Sequence, residues 1–199
     1  MCITDKLKEE GFVSTKNLSD WQEQQLQDAV RKGEAVRLKN GIYADIDALA
    51  NTMVDIRMIV PGGILCLWSA WSVYNLTTQI PNAYYIAIER TRKIVLPDYP
   101  EFQLIYQSDN LLSIGATRKN VQGYDIPIFD MERSVCDAIK YRNKVGVDVM
   151  AEILQTYLRR PDKNISRLMD YASKLRIRKT LNQYLEVWQS TKYIISAVR

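Results

Sequence analysis

Apolar and polar positions change their period several times along this chain. Residues 3–10 read as a short helix that stops at Gly11, and Ser14 can cap a second short helix over Thr15 to Leu18. Ser19-Asp20-Trp21-Gln22 is a stronger start signal. Ser19 with Gln22 three residues on forms a capping box, and Asp20 suits the positive end of a helix. This helix runs to about Lys32 with Leu26, Ala29 and Val30 facing inward, and Gly33 stops it in the C′ position. Val36 and Leu38 then alternate with Arg37 and Lys39. The Asn40-Gly41 pair predicts a two-residue hairpin of type I′, with positive φ at both residues. Helix, helix, capped helix and hairpin in this order predict a winged helix-turn-helix over residues 1–46.

Residues 46–59 predict a further helix, so that 47–62 form a connector helix and turn. Ile64 to Leu76 is apolar nearly all round and predicts a buried helix. Trp68 and Trp71 share a face there, and Ser69 and Ser72 are the only polar side chains before Asn75. Residues 83–88 and 102–106 predict strands, and 115–121 with 124–129 a hairpin across Gln122-Gly123. Asp130 caps a helix whose Met131, Val135, Cys136, Ala138 and Ile139 point inward. Helices at roughly 146–158, 164–174 and 178–188 complete the pattern. The expected fold class is α+β. An N-terminal winged helix-turn-helix precedes a C-terminal domain over 63–190 with a small mixed sheet and a helical bundle, and 191–199 form a tail.

Composition narrows the chemistry. The 199 residues contain no histidine, which removes Ser-His-Asp and Cys-His nucleophile arrangements and imidazole-ligated metal sites. Cys2, Cys66 and Cys136 are odd in number and far apart, which fits reduced thiols in a cytoplasmic protein. Charges interrupt the start of the chain, so no signal peptide is expected. The uncharged stretch between Arg57 and Glu89 is broken by Pro61-Gly62-Gly63 and by polar residues from Asn75 on, too early for a span of about 20 residues. No membrane association, cofactor or metal is expected.

The net charge of +4 is mild, but its distribution is uneven. The outward face of the capped helix carries Gln24, Gln27, Asp28 and Arg31. Gln suits adenine edges, and Arg suits guanine edges or phosphate. Lys16, Lys32, Arg37 and Lys39 lie nearby in sequence and suit backbone contacts. Residues 1–46 nevertheless hold seven basic and eight acidic side chains, a net of −1. A winged helix that packs against protein therefore competes with one that binds DNA. The densest basic run lies elsewhere. Arg159, Arg160, Lys163, Arg167, Lys174, Arg176, Arg178 and Lys179 face only Asp162 and Asp170, a net of +6 over 159–179. That run suits a second DNA-contacting surface or an acidic partner.

The carboxylates Asp130, Glu132 and Asp137 read as structural: a helix cap, a first-turn acid, and an i,i+4 partner for Arg133. A restriction-type nuclease needs Pro-Asp followed by Glu-x-Lys. Pro97-Asp98 is present, but Phe102 and Gln103 follow Glu101, and no Glu-x-Lys lies downstream. No catalytic residues are assigned.

Three segments carry a resemblance. They are RKGEAVRLKNGIYA at 31–44, LWSAWSVYNLTTQIPNAYYIAIER at 67–90, and GYDIPIFDMERSVCDAIKYRNKVGVDVMAEILQTYLRR at 123–160, followed by LNQYLEVW at 181–188. In this order and spacing the chain resembles the AbiEi-type antitoxins of bacterial type IV toxin–antitoxin systems. The resemblance implies an N-terminal domain that binds inverted repeats in its own promoter, as double-stranded DNA, and represses it. It also implies a C-terminal domain that counteracts a nucleotidyltransferase-like toxin, without a stable complex, in phage defence. A monomer or weak dimer that binds DNA cooperatively is implied as well. The DNA-contacting role falls on Gln24, Gln27, Arg31, Arg37 and Lys39, and less directly on the 159–179 run. A solitary winged-helix regulator, or an interaction module without a toxin partner, is the alternative.

Overall fold

The computed structural model describes residues 2–47, 56–97, 100–121 and 123–197, without the side chains of Lys39 and of residues 189–197. The chain is α+β with two sheets. Helix α1 (Ile3–Glu10) ends at Gly11, whose φ of 74° lets its N–H return to the Leu7 carbonyl at 2.8 Å. Strand β1 (Phe12–Ser14) follows. The short helix expected over Thr15 to Leu18 is instead one 3-10 turn, Thr15–Asn17. The Thr15 N–H is drawn off to the Gly41 carbonyl at 2.8 Å, and the Leu18 N–H closes back on Thr15. Helix α2 (Asp20–Arg31) is fixed at both ends. The Gln22 N–H donates to Ser19 Oγ at 3.4 Å, and the Ser19 N–H donates to Gln22 Oε1 at 3.0 Å. At the other end the Glu34 N–H reaches the Ala29 carbonyl and the Gly33 N–H the Val30 carbonyl, each at 3.0 Å.

Strands β2 (Ala35–Lys39) and β3 (Ile42–Asp45) pair antiparallel, and the sheet order is β1-β3-β2. The turn between them is not type I′. Gly41 has a φ of 77°, but Asn40 is not among the non-glycine residues with positive φ. The register slips between Arg37 and Lys39, and this bulge closes the hairpin with one left-handed residue instead of two.

The connector helix expected over 46–59 lies largely outside the described residues, and its end is α3 (Ile56–Ile59). The second sheet has five strands in the order β6-β5-β4-β8-β7: β4 (Ile64–Leu65), β5 (Tyr84–Glu89), β6 (Phe102–Gln107), β7 (Ala116–Val121) and β8 (Tyr124–Phe129). It is mixed, with β4–β8 and β5–β6 parallel. The helix expected from Ile64 to Leu76 starts late. Ile64 and Leu65 form the middle strand, because Leu65 pairs with Ile86 on one side and Ile128 on the other. A φ of 44° at Leu67 then turns the chain at once into α4 (Leu67–Val73). The remaining helices are α5 (Asp109–Leu112), α6 (Met131–Lys140), α7 (Arg142–Val145), α8 (Val147–Arg159), α9 (Ile165–Lys174) and α10 (Arg178–Ala197).

Strand alternation assigns each face of the five-stranded sheet its own core. Ala87 and Phe129 pack with apolar residues of α4, α6, α8 and α9. Leu65, Ile86, Ile88, Ile126 and Ile128 face the other way and share a cluster with Ile56, Ile59, Phe12, Leu38, Ile42 and Ala44. The N-terminal sheet thus joins the core of the larger one. Its opposite face, through Val13, Ala35 and Tyr43, packs with Ile3, Leu7, Leu26 and Ala29 of α1 and α2. The layers run from helices to five-stranded sheet to three-stranded sheet to α1 and α2.

Arg133 of α6 is wholly buried. Its Nε donates to Asp137 Oδ1 at 3.1 Å, and its Nη1 to the carbonyls of Leu111 at 2.6 Å and Ile114 at 2.7 Å. Its Nη2 donates to Gln107 Oε1 at 2.7 Å, and the guanidinium stands 4.1 Å from the centre of the Phe129 ring. Burial pushes the Asp137 carboxyl above its ordinary range, and Arg133 opposes that shift. Gly115 must be glycine here. Its φ is 71°, and a Cβ would sit 2.5 Å from Arg133 Cβ.

Arg133→Ala leaves Asp137 buried without its counter-charge. The expected loss is about 3–5 kcal/mol in urea denaturation. A double variant, Arg133→Met with Asp137→Leu, recovers part of it. The thiols give a second check. Cys66 and Cys136 are buried, and burial raises both their pKa values, whereas hydrogen bonding by Thr4 lowers that of the half-buried Cys2. Iodoacetamide labelling followed by mass spectrometry should modify one thiol in the native protein and all three in denaturant.

Candidate nucleic-acid interface

Helix α2 is the outermost layer, so one of its faces meets solvent. Gln24, Gln27 and Arg31 are exposed and share that face by their spacing. Arg31 is held by Asp28, Nη1 to Oδ1 at 3.1 Å. The pair is exposed and so weak enough to exchange for another anion. Lys32 at the helix end and Lys16 in the 3-10 turn are exposed as well. The Thr15–Gly41 hydrogen bond sets the turn carrying Lys16 beside the hairpin tip. At that tip the exposed Arg37 guanidinium donates to the Asn40 side chain. The Lys39 side chain lies outside the described residues. Five of the seven residues picked from sequence, Lys16, Gln24, Gln27, Arg31 and Lys32, therefore line α2 or the turn before it, and Arg37 joins from the hairpin.

Sequence reasoning passed over Trp21, which is 68% exposed in the first turn of α2. In the sequence it reads only as part of the Ser19–Gln22 cap. At 100° per residue it falls on the same side as Gln24 and Asp28, the signal that could have found it.

The basic run at 159–179 is largely committed to the chain itself. Arg160 donates to both Asp162 oxygens at 2.8 and 2.9 Å and to the Tyr74 carbonyl at 3.2 Å. Lys163 reaches the Arg160 carbonyl, Lys174 pairs with Asp170 at 2.7 Å, and Arg178 donates to Ser173. Arg167 stands 3.6 Å from Glu132, and Arg159 lies over the Trp188 ring. Arg176 and Lys179 are exposed. These residues belong to the helical layer, on the opposite side of the five-stranded sheet from α2.

The carboxylates at the start of α6 are acceptors within the fold. Asp130 takes the Arg133 N–H at 2.8 Å and the Tyr171 hydroxyl at 2.9 Å. Burial pushes the Asp130 carboxyl up, and burial with that neighbour pushes the Tyr171 hydroxyl up to about 12. Glu132 Oε1 accepts from the Tyr157 hydroxyl and the Asn164 N–H, both at 3.1 Å. Among the described residues no group of three or more His, Cys, Asp or Glu could hold a metal ion, and no helix is long and apolar enough to cross a membrane.

No protein-family model matches the chain, and no curated protein matches it.

The orientation of α2 rests on its cap. Ser19→Ala should cost about 1 kcal/mol, within about 0.5–2 kcal/mol, in chemical denaturation, and Ser19→Asp should restore most of it.

Proposed function

We propose that residues 1–46 act as a winged helix-turn-helix and that the chain is a non-enzymatic, sequence-specific DNA-binding repressor of its own promoter. One observation carries this reading. The order α1, β1, 3-10 turn, α2, hairpin presents a single solvent-facing side of α2 with Gln24, Gln27 and Arg31, flanked by Lys16, Lys32 and Arg37. In a helix-turn-helix the second helix of the motif enters the major groove. The cations around α2 are placed to meet phosphates, which position a protein without specifying sequence. Two copies on an inverted repeat need half-sites about one helical turn apart, or a multiple of it.

The antitoxin role, against a nucleotidyltransferase-like toxin of a type IV toxin–antitoxin operon, is supported by the resemblance of segments 31–44, 67–90 and 123–160. The helical layer, remote from α2, is the surface available for it. The alternative, a solitary regulator or protein-interaction module, draws on the net charge of −1 over residues 1–46 and on the exposed Trp21.

Fluorescence anisotropy of the full chain on its own promoter fragment, in low salt, tests the repressor reading. Binding with a linear dependence of log K on log salt is expected. Single Lys16→Ala, Lys32→Ala and Arg37→Ala variants should each reduce the slope by about 1 and weaken all sequences alike. No shift at low salt, or a sequence-selective loss from Arg37→Ala, contradicts the assignment. Co-expression with the nucleotidyltransferase of the neighbouring gene tests the antitoxin role, where rescue of growth is expected.

A further inference from the structure

The solvent-facing side of α2 has a composition that discriminates between base pairs. In the major groove, Gln pairs in bidentate fashion with adenine N6 and N7, Arg with guanine O6 and N7, a carboxylate accepts from the cytosine amino group, and apolar side chains meet the thymine methyl. Here the exposed positions nearest the helix start are Asp20, Trp21 and Gln24, with Gln27 one turn further on. The residues at the start of a recognition helix are those that reach base edges. Arg31, the guanine-reading side chain of this face, is the last residue of α2 and so the furthest from the helix start. Asp28, its exposed ion-pair partner at 3.1 Å, stands two turns in from the start of α2. Of the exposed groups in the first two turns, the uncharged ones are two amides and an indole, while the Asp20 carboxylate complements the positive end of the helix.

Among the described residues Trp21 has no packing role that explains it. The apolar residues that α2 buries are Leu26 and Ala29, and the cluster they belong to does not include Trp21. An indole that is 68% exposed in the first turn of a capped helix keeps a large apolar surface in water. Against DNA that surface finds its match in the C5-methyl of thymine.

We propose that α2 reads A·T base pairs, with Gln24 and Gln27 on adenine edges and Trp21 packed on a thymine methyl. The proposal rests on α2 lying in the major groove. It names the substrate class of that site: a duplex whose half-sites are A·T-rich under α2.

Selection of duplexes by the full chain from a random 20-base-pair pool, in low salt, tests it together with thymine-to-deoxyuridine replacement in the selected duplex. Deoxyuridine removes only the methyl group. A·T pairs should be enriched in the half-sites. Replacement at one or two thymines should weaken binding about three- to fivefold, the effect of losing one buried methyl. Trp21→Ala should bind more weakly and no longer respond to the replacement. Gln24→Ala should lose about five- to a hundredfold on its preferred site and relax selection at one base pair. Thermal denaturation of each variant separates lost contact from lost fold, since both positions are exposed. Enrichment of G·C half-sites overturns the proposal. So does wild-type binding that ignores the methyl, which leaves Trp21 for a protein partner. If no duplex is retained at all, the DNA-binding reading itself falls and takes this inference with it.

Discussion

A buried guanidinium must find its hydrogen-bond acceptors inside the protein, and Arg133 finds them on separate pieces of chain. Gln107 ends β6, Leu111 lies in α5, Ile114 precedes β7, and Asp137 lies one turn along α6. Meeting all four at once fixes the path from residue 107 to residue 115 against α6. That path sets where β7 begins and so where the β7–β8 hairpin joins the sheet. It also forces glycine at 115, where backbone and helix nearly touch. The arrangement is not the most stable that could fill the space. Gln107 Nε2 and Asp137 Oδ2 are buried without partners among the described residues, and a buried ion pair is often no better than apolar packing of the same shape. Its effect is to make any other placement of the 107–115 segment costly. We read the pair as specifying the fold more than as stabilising it.

With its helix-facing side fixed, the five-stranded sheet still has an apolar side to cover. The N-terminal sheet covers it. Leu38 and Ile42 of the hairpin are 3% and 7% exposed, and they share a cluster with Ile86 and Ile128. The small N-terminal unit is therefore mounted on the larger one through shared apolar packing. Mounting has a cost in reach. The hairpin's apolar flank is occupied, so only its tip, with Arg37, remains open to a ligand.

What the sequence revealed and what it hid divide along the range of the interactions. Caps and stops are settled within a few residues, so Ser19 with Gln22, Gly33 and Asp130 could be read directly. Strand β4 could not. Ile64 and Leu65 lie in an apolar run without period, and only Ile86 and Ile128, distant in sequence, make them a strand. The hairpin's alternation showed that one face is apolar, not what would cover it. The Arg133–Asp137 spacing revealed a pair, but not that it is buried. The basic run at 159–179 shows the same limit. A charge count sees Arg160 and Lys174, but not Asp162 and Asp170 within 3 Å of them.

The cations around α2 bear on how a repressor of the proposed kind would achieve selectivity. If Lys16, Lys32, Arg37 and Lys39 are its phosphate contacts, one copy releases few counterions, and the salt slope per copy is about −4. Between 50 and 200 mM salt this costs a single copy roughly two orders of magnitude in affinity. The net of −1 over residues 1–46 supplies no diffuse attraction to compensate. Tight binding would then have to come from pairing copies on an inverted repeat, where each adds its own contacts. Weak backbone attraction also has an advantage. It would keep a repressor off non-specific DNA, so that discrimination would fall to the few groups that touch base edges. On α2 the uncharged groups proposed for that role are two amides and an indole, and a surface so short of positive charge would be useful to a repressor only if it reads sequence.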